Sequence, residues 1–380
     1  MRSIRAALLV LCSPVALAQP GGAEREILTI DHYVRHRSTV PAIEGETVQL
    51  YVRERVLDGV LARTADFEGR VVLFVHGAGT PAEVAFDVPY EDYSWMAYLA
   101  SAGFDVFATD MTGYGRSTRP AAMNDPCNLS EEQRAAVLPP AAAERCEPSH
   151  PGQLTTVGSD WADIDAVVEY LRALRGVERV SLVGWSLGGP RAGGYAAQNP
   201  EKVASVVLLA PAYTRDLASS APALPAPGAA MNVQSWTDFM RNWERQVGCE
   251  NQYDPAAARA VWNEMLASDP VGATWGTGVR RAPSTTVWGW NRDAVRRTRT
   301  PMLLVAAVHD AQVTADRVQA LYEDLGSAEK VLIDLGCASH AAMWEHARTH
   351  LFAASLEWLR DGTVHGQRQG TLRLNYPDAR

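Results

Sequence analysis

The 380-residue chain reads as an α/β protein: a mostly parallel central sheet flanked by helices, with a helical cap inserted before the strand that carries an acidic candidate. Three observations predict this. Short apolar runs recur at Val71–Val75, Phe104–Thr109, Arg179–Val183, Val203–Leu209, Pro301–Val308 and Lys330–Leu335, as expected of strands buried on both faces. Helical spacing fills intervals between them, as in Asp160–Leu174 and Thr314–Leu325. The residues with chemical potential follow the apolar runs, at the strand ends where open parallel sheets carry their sites.

In chain order, Met1–Arg5 is basic, Ala6–Val15 apolar and Ala16-Leu17-Ala18 a cleavage-type triplet. This pattern predicts an exported protein, secreted or periplasmic, with a signal peptide over 1–18. The apolar stretch is short for a bilayer span, so no integral membrane segment is expected in the mature chain. Without Cys12, four cysteines remain: Cys127, Cys146, Cys249 and Cys337. They permit three pairings. Cys127–Cys146 is favoured because both lie in one polar insertion; that leaves Cys249–Cys337, with Cys337 as a free buried thiol the alternative. The net charge of −9 argues against nucleic acid as a partner, the histidines lack metal-ligand spacing, and no cofactor is expected. Nothing in the pattern specifies an oligomeric state.

Ile27–Asp31 and Thr47–Val56 suit an antiparallel start to the sheet, and Tyr93–Ala102 a helix. Residues 118–158, rich in proline, break the rhythm as a disulfide-pinned insertion. The core is expected over 19–213 and 300–362. The cap spans 214–299, with helices near Val233–Val247 and Pro255–Ala267 and another expected beyond Ser284. It holds Trp236, Trp243, Trp262, Trp275, Trp288 and Trp290, most expected to dock the cap and one or two to face a pocket. A last helix is expected over 341–360 and a loosely held tail over 363–380. No internal repeat is found.

The most specific stretch is Gly184-Trp185-Ser186-Leu187-Gly188, between an apolar strand and the small residues Gly189–Ala197. A strand, a G-x-S-x-G turn and a helix raise the serine above the sheet, with glycines where backbones nearly touch. Val71–Val75 ends in His76-Gly77-Ala78-Gly79, whose glycines let the backbone bend around a carbonyl. His76 is expected to orient this loop rather than act as base. Asp110, heading D-x-x-G-x-G-x-S, is expected to shape its own turn. Asp310 and His340 follow the last two apolar runs.

With loop, serine, acid and histidine in this order, the sequence resembles the α/β-hydrolase superfamily over roughly residues 45–360, in the manner of a serine esterase or lipase with a cap. The resemblance implies Ser186 as nucleophile, His340 as base, Asp310 as its orienting acid, and the amides of Ala78 and Leu187 as the oxyanion hole. Trp185 and Gly77 are candidates for touching substrate. His309 is a rival base and Asp216 a rival acid. Cys337-Ala338-Ser339-His340 replaces the G-x-G-H of many relatives, so the histidine loop is expected to take a different path.

A serine nucleophile argues against the haloalkane dehalogenases and epoxide hydrolases that use aspartate on this fold. The reading is a secreted carboxylic-ester hydrolase acting on a small-molecule ester through an acyl-enzyme. The alternatives are a prolyl-aminopeptidase-like amide hydrolase, with Glu244, Glu250 and Glu264 as possible amine-binding acids; a lactonase or perhydrolase on the same triad; and a non-catalytic binding protein of this fold.

Overall fold

The computed structural model describes residues 26–59 and 67–376; the expected signal segment lies outside them. Nine strands form one sheet: β1 (Ile27–Arg37), β2 (Thr47–Leu57), β3 (Val71–Val75), β4 (Asp105–Thr109), β5 (Val180–Trp185), β6 (Val203–Leu209), β7 (Met302–Ala307), β8 (Lys330–Leu335) and β9 (Gln369–Leu374). Their spatial order is β1-β2-β4-β3-β5-β6-β7-β8-β9. β1 and β2 pair antiparallel, β2 runs antiparallel to β4, and every later pairing is parallel. This is the mostly parallel sheet the apolar runs predict. Every residue of β3, β4, β5 and β7 is buried, because helices cover both faces.

The sheet positions the site through its crossover. β3 and β5 are neighbours although β4 lies between them in sequence, with Val75 opposite Gly184. The loop leaving β3 therefore meets the turn leaving β5 at the carboxyl edge, a topological switch point. β7 and β8 are also neighbours, with Ala307 opposite Leu335, so the segments carrying Asp310 and His340 leave the sheet side by side.

Several expectations need correction. Part of the expected loose tail is ordered: β9 adds an edge strand parallel to β8, and alternation lets Leu372 and Leu374 pack on the core. The helix expected from Asp160 begins at Val157, because Thr156 and Ser159 form a reciprocal capping box. The helix expected over 341–360 is a short turn, Ala342–Trp344, followed by a helix over Arg348–Asp361; extended backbone at Glu345 separates them.

The cap is mixed rather than helical. Met231–Ser235 and Val279–Pro283 form an antiparallel pair, and the helix expected from Val233 starts at Trp236 behind a Ser235–Asp238 capping box. Pro255–Ala267 is helical as expected, whereas beyond Ser284 only Arg292–Arg297 is. The 118–158 insertion belongs with the cap. Met123, Leu129 and Leu154 share a second small core with Ala230 and Met231, and the Gln133 amide exchanges hydrogen bonds with the Val233 backbone at 3.1 and 3.2 Å. Cys127 pairs with Cys146, and Cys249 with Cys337, at Cα separations of 5.1 and 5.8 Å. The first pair pins the insertion; the second joins the cap to the loop after β8.

Candidate active site

Ser186 sits at the tip of the β5 turn with φ of 57°, a left-handed conformation that a side chain adopts only when its surroundings impose it. Those surroundings are visible. The Ser186 N–H donates to Leu209 O (3.0 Å), and its carbonyl accepts from Gly189 N–H and Ala212 N–H (both 2.8 Å). The flanking glycines are required by contact. A Cβ on Gly184 would lie 2.7 Å from Gly188 O, and one on Gly188 would lie 2.7 Å from Val75 O. Beyond the turn a wide helical turn, Gly189–Gly193, runs into Gly194–Gln198. Here the small residues matter again, since the Trp290 and Trp161 rings press on Gly193 and Gly194.

The loop after β3 lies against the serine: a Cβ on Gly77 would be 2.9 Å from Ser186 Cβ. Gly77 thus backs Ser186 and does not line the cavity. Its carbonyl accepts from His76 Nδ1–H (2.7 Å) and from Arg191 Nη1–H (3.0 Å). In a trans peptide the next N–H points the opposite way, so this clamp turns the Ala78 amide away from Arg191. Ala78 lines the cavity before Ser186. Among the described residues the Ala78 and Leu187 amides donate to no protein acceptor.

His76 is fully buried. Met111 N–H donates to its Nε2 (3.1 Å), which fixes the proton on Nδ1. Burial, and then the Arg191 charge, drive its pKa well below the usual histidine range. It is a neutral support for the loop. Arg191, also fully buried, donates from Nε to Asp160 (2.7 Å). Asp110 accepts from Ala82 N–H (2.7 Å) and Arg116 N–H (3.0 Å), and so shapes its turn.

On the other side, His340 Nδ1 lies 2.7 Å from Asp310 Oδ2, both residues 5 % exposed. Asp310 Oδ1 accepts from the amides of Gln312 (2.7 Å) and Val313 (2.8 Å). With the carboxylate accepting, the imidazole carries its proton on Nδ1 and leaves the Nε2 lone pair for a substrate-side proton. Trp185 Nε1–H donates to His340 O (2.8 Å), which ties the end of β5 to the histidine.

Glu345, completely buried, organises the histidine loop. It accepts from Ser339 N–H (2.8 Å), Ser339 Oγ–H (2.5 Å), Trp243 Nε1–H (2.8 Å) and Gln252 Nε2–H (3.0 Å). Together with the Cys249–Cys337 link and the left-handed Cys337 (φ 48°), these bonds define the path that Cys337-Ala338-Ser339 takes in place of a glycine-rich one.

Ser186, His340, Ala78 and Trp185 line one cavity of about 120 Å³, small beside the roughly 300–1,000 Å³ of a drug-sized site. Of the six cap tryptophans only Trp243 lines it; Trp344 and Trp185 come from the core segments. His309 packs on Gly248, and neither it nor Asp216, which is exposed, lines the cavity. Glu244 and Glu250 are exposed, and Glu264 is absent from the wall. Among the described residues no carboxylate lines the cavity, but Arg280 does, with Thr80, Gln234 and Gln312. No sequence motif singles out Arg280, Arg191 or Glu345: their roles arise from contacts between distant segments.

A family model described as alpha/beta hydrolase fold matches residues 70–347. The chain is similar in structure to a thermophilic esterase from Thermogutta terrifontis solved with malate bound (16 % identity, 87 % of this chain and 98 % of that one, TM-score 0.52). It is also similar to a putative hydrolase from Bacillus subtilis (14 % identity, 88 % and 93 %, TM-score 0.51) and to an esterase from Exiguobacterium antarcticum (13 % identity, 87 % and 99 %, TM-score 0.50). No curated protein matches the chain in sequence.

Proposed function

The chain belongs to the α/β-hydrolase family, and from that premise we propose that it is an exported serine hydrolase that cleaves a compact carboxylic ester. The observation that carries this reading is the shared cavity: a strained Ser186, the His340–Asp310 pair and the Ala78 backbone meet around one small space. Ser186 Oγ attacks the ester carbonyl while His340 Nε2 takes its proton. The oxyanion is met by the amides of Ala78 and Leu187. The carbon–oxygen bond to the alcohol breaks as the imidazolium returns the proton to it. Water, deprotonated by the same nitrogen, then releases the acid and restores the serine. Asp310 keeps the imidazole in the Nδ1–H tautomer and stabilises its cation. The lack of a wall carboxylate among the described residues speaks against an amine-binding peptidase. The two cysteine pairs fit an oxidising compartment.

The test is a graded series of p-nitrophenyl esters, acetyl to long acyl, with Ser186→Ala alongside. Activity is expected to peak at short acyl chains and to fall by about 10⁶ in kcat in the variant. Full activity in Ser186→Ala, or a folded wild type that neither cleaves an ester nor reacts with a serine-directed phosphonate, overturns the reading.

A further inference from the structure

Among the described residues, the wall of this cavity contains a cation with no carboxylate in contact with it. Arg280 lies on the strand Val279–Pro283 beside Arg281, and alternation sends the two side chains to opposite faces. Arg281 makes a two-pronged contact with Asp269, from Nη2 (2.7 Å) and Nε (3.0 Å), which anchors the strand. Arg280 faces the cavity. Its Nη1–H donates to Asn232 Oδ1 (2.6 Å) and its Nε–H more weakly to Gln234 Oε1 (3.4 Å). Both acceptors stand on the paired strand, where Gln234 is directly opposite Arg280. They are neutral amides, so they orient the guanidinium without neutralising it. Among the described residues no carboxylate lies within 4.0 Å of it, whereas the buried Arg191 and Arg281 are paired with Asp160 and Asp269.

The seat of this side chain is also built. The guanidinium rests on Gly79 of the oxyanion loop, where a Cβ would lie 2.6 Å from Nη2. Gly79, at φ 81°, thus supplies both the bend of that loop and the room for the cation beside it. Arg280 is half-buried, and this enclosure pushes its pKa down to about 10 against the pull of Tyr114 and Asp269, so the group stays charged at neutral pH.

We infer that Arg280 is the anion-recognising group of the cavity, and that the ester cleaved at Ser186 carries a carboxylate. This rests on the serine-hydrolase reading above and narrows its substrate class. A carboxylate pairs with a guanidinium through charge-assisted hydrogen bonds, and Arg280 lies beside the loop that carries Ala78, so the anion and the scissile carbonyl share one small space.

The experiment compares kcat/KM within two matched pairs. One is 4-nitrophenyl hydrogen glutarate against 4-nitrophenyl valerate, with the anion in the acyl part. The other is 3-acetoxybenzoate against phenyl acetate, with the anion in the alcohol part. Each is measured on wild type, Arg280→Met and Arg280→Lys, with spontaneous hydrolysis subtracted and folding checked by circular dichroism. Wild type is expected to favour the anionic member of at least one pair by about tenfold or more. Arg280→Met should bring that ratio to one or below, and Arg280→Lys should retain part of it. No anionic preference in either pair, or a preference unchanged in Arg280→Met, overturns the inference. Calorimetric binding of glutarate separates the two readings. If no ester is cleaved, glutarate binding that is lost in Arg280→Met upholds the anion seat without the esterase, and absence of binding sinks it.

Discussion

Ser186 and the loop facing it are held by the sheet, whereas His340 is held by a loop that the cap grips. On the first side the determinants are close contacts within the core of the sheet. Gly184 and Gly188 let backbones approach, the Gly77 carbonyl is clamped by His76 and Arg191, and Asp160 balances Arg191. On the second side, Trp243, Gln252 and Cys249 of the cap reach Glu345 and Cys337 around the histidine. The nucleophile side therefore depends on the sheet's own close packing. The histidine side depends on a segment inserted elsewhere in the chain, and the two sides should fail in different ways.

The largest effect is expected from Arg191→Met. It strands Asp160 in the interior, for which about 3–5 kcal/mol of stability is the usual loss, and it frees the Gly77 carbonyl. Where the protein is kept folded by low temperature, kcat should fall by about a hundredfold, the usual effect of losing one oxyanion donor, with little change in KM. Denaturant melts and steady-state kinetics check both; an unchanged kcat would break the proposed link from Arg191 to the Ala78 amide. Next in size is the double change Cys249→Ser with Cys337→Ser. Removing a crosslink across 88 residues should lower stability by about 2–4 kcal/mol. Its kinetic effect should fall on the positioning of His340, as a lower kcat with little change in KM, and an unchanged kcat would mean that Glu345 alone suffices.

The smallest effect sharpens the nucleophile side. Glu83, on the short helix behind the oxyanion loop, has its pKa raised to about 7, chiefly by burial and then by Asp110, against the pull of Arg53 and Arg116. Its ordinary value is 4.5. Between these two values the folded state holds a proton that the unfolded chain has lost, so this group's contribution to stability falls as pH rises from about 4.5 to 7. Glu83→Gln should flatten that part of the curve of Tm against pH. A curve parallel to wild type would show that Glu83 does not titrate there.

How legible each part was follows from the same contrast. The mostly parallel sheet, the serine turn and the places of Asp310 and His340 can be read from sequence because each depends on a local pattern: an apolar run, a glycine spacing, a residue just past a strand. The positions of Ser186 and of the Asp310–His340 pair follow from such patterns. Arg280, Arg191 and Glu345 left no such trace. An arginine beside another arginine in a short strand reads as solvated surface until its partner strand is known. Val233–Ser235 reads as the start of a helix because its cross-strand partner lies more than forty residues on. The tail was misjudged because Gln369–Leu374 is a half-exposed edge strand, and its alternation is weak beside the strong runs of the core.

The cysteine pair between cap and histidine loop has a consequence for traffic. A cover joined covalently to the segment bearing His340 cannot swing clear at that point without carrying the segment along. A hinged opening of the cap at Cys249 would therefore displace the His340 loop as well.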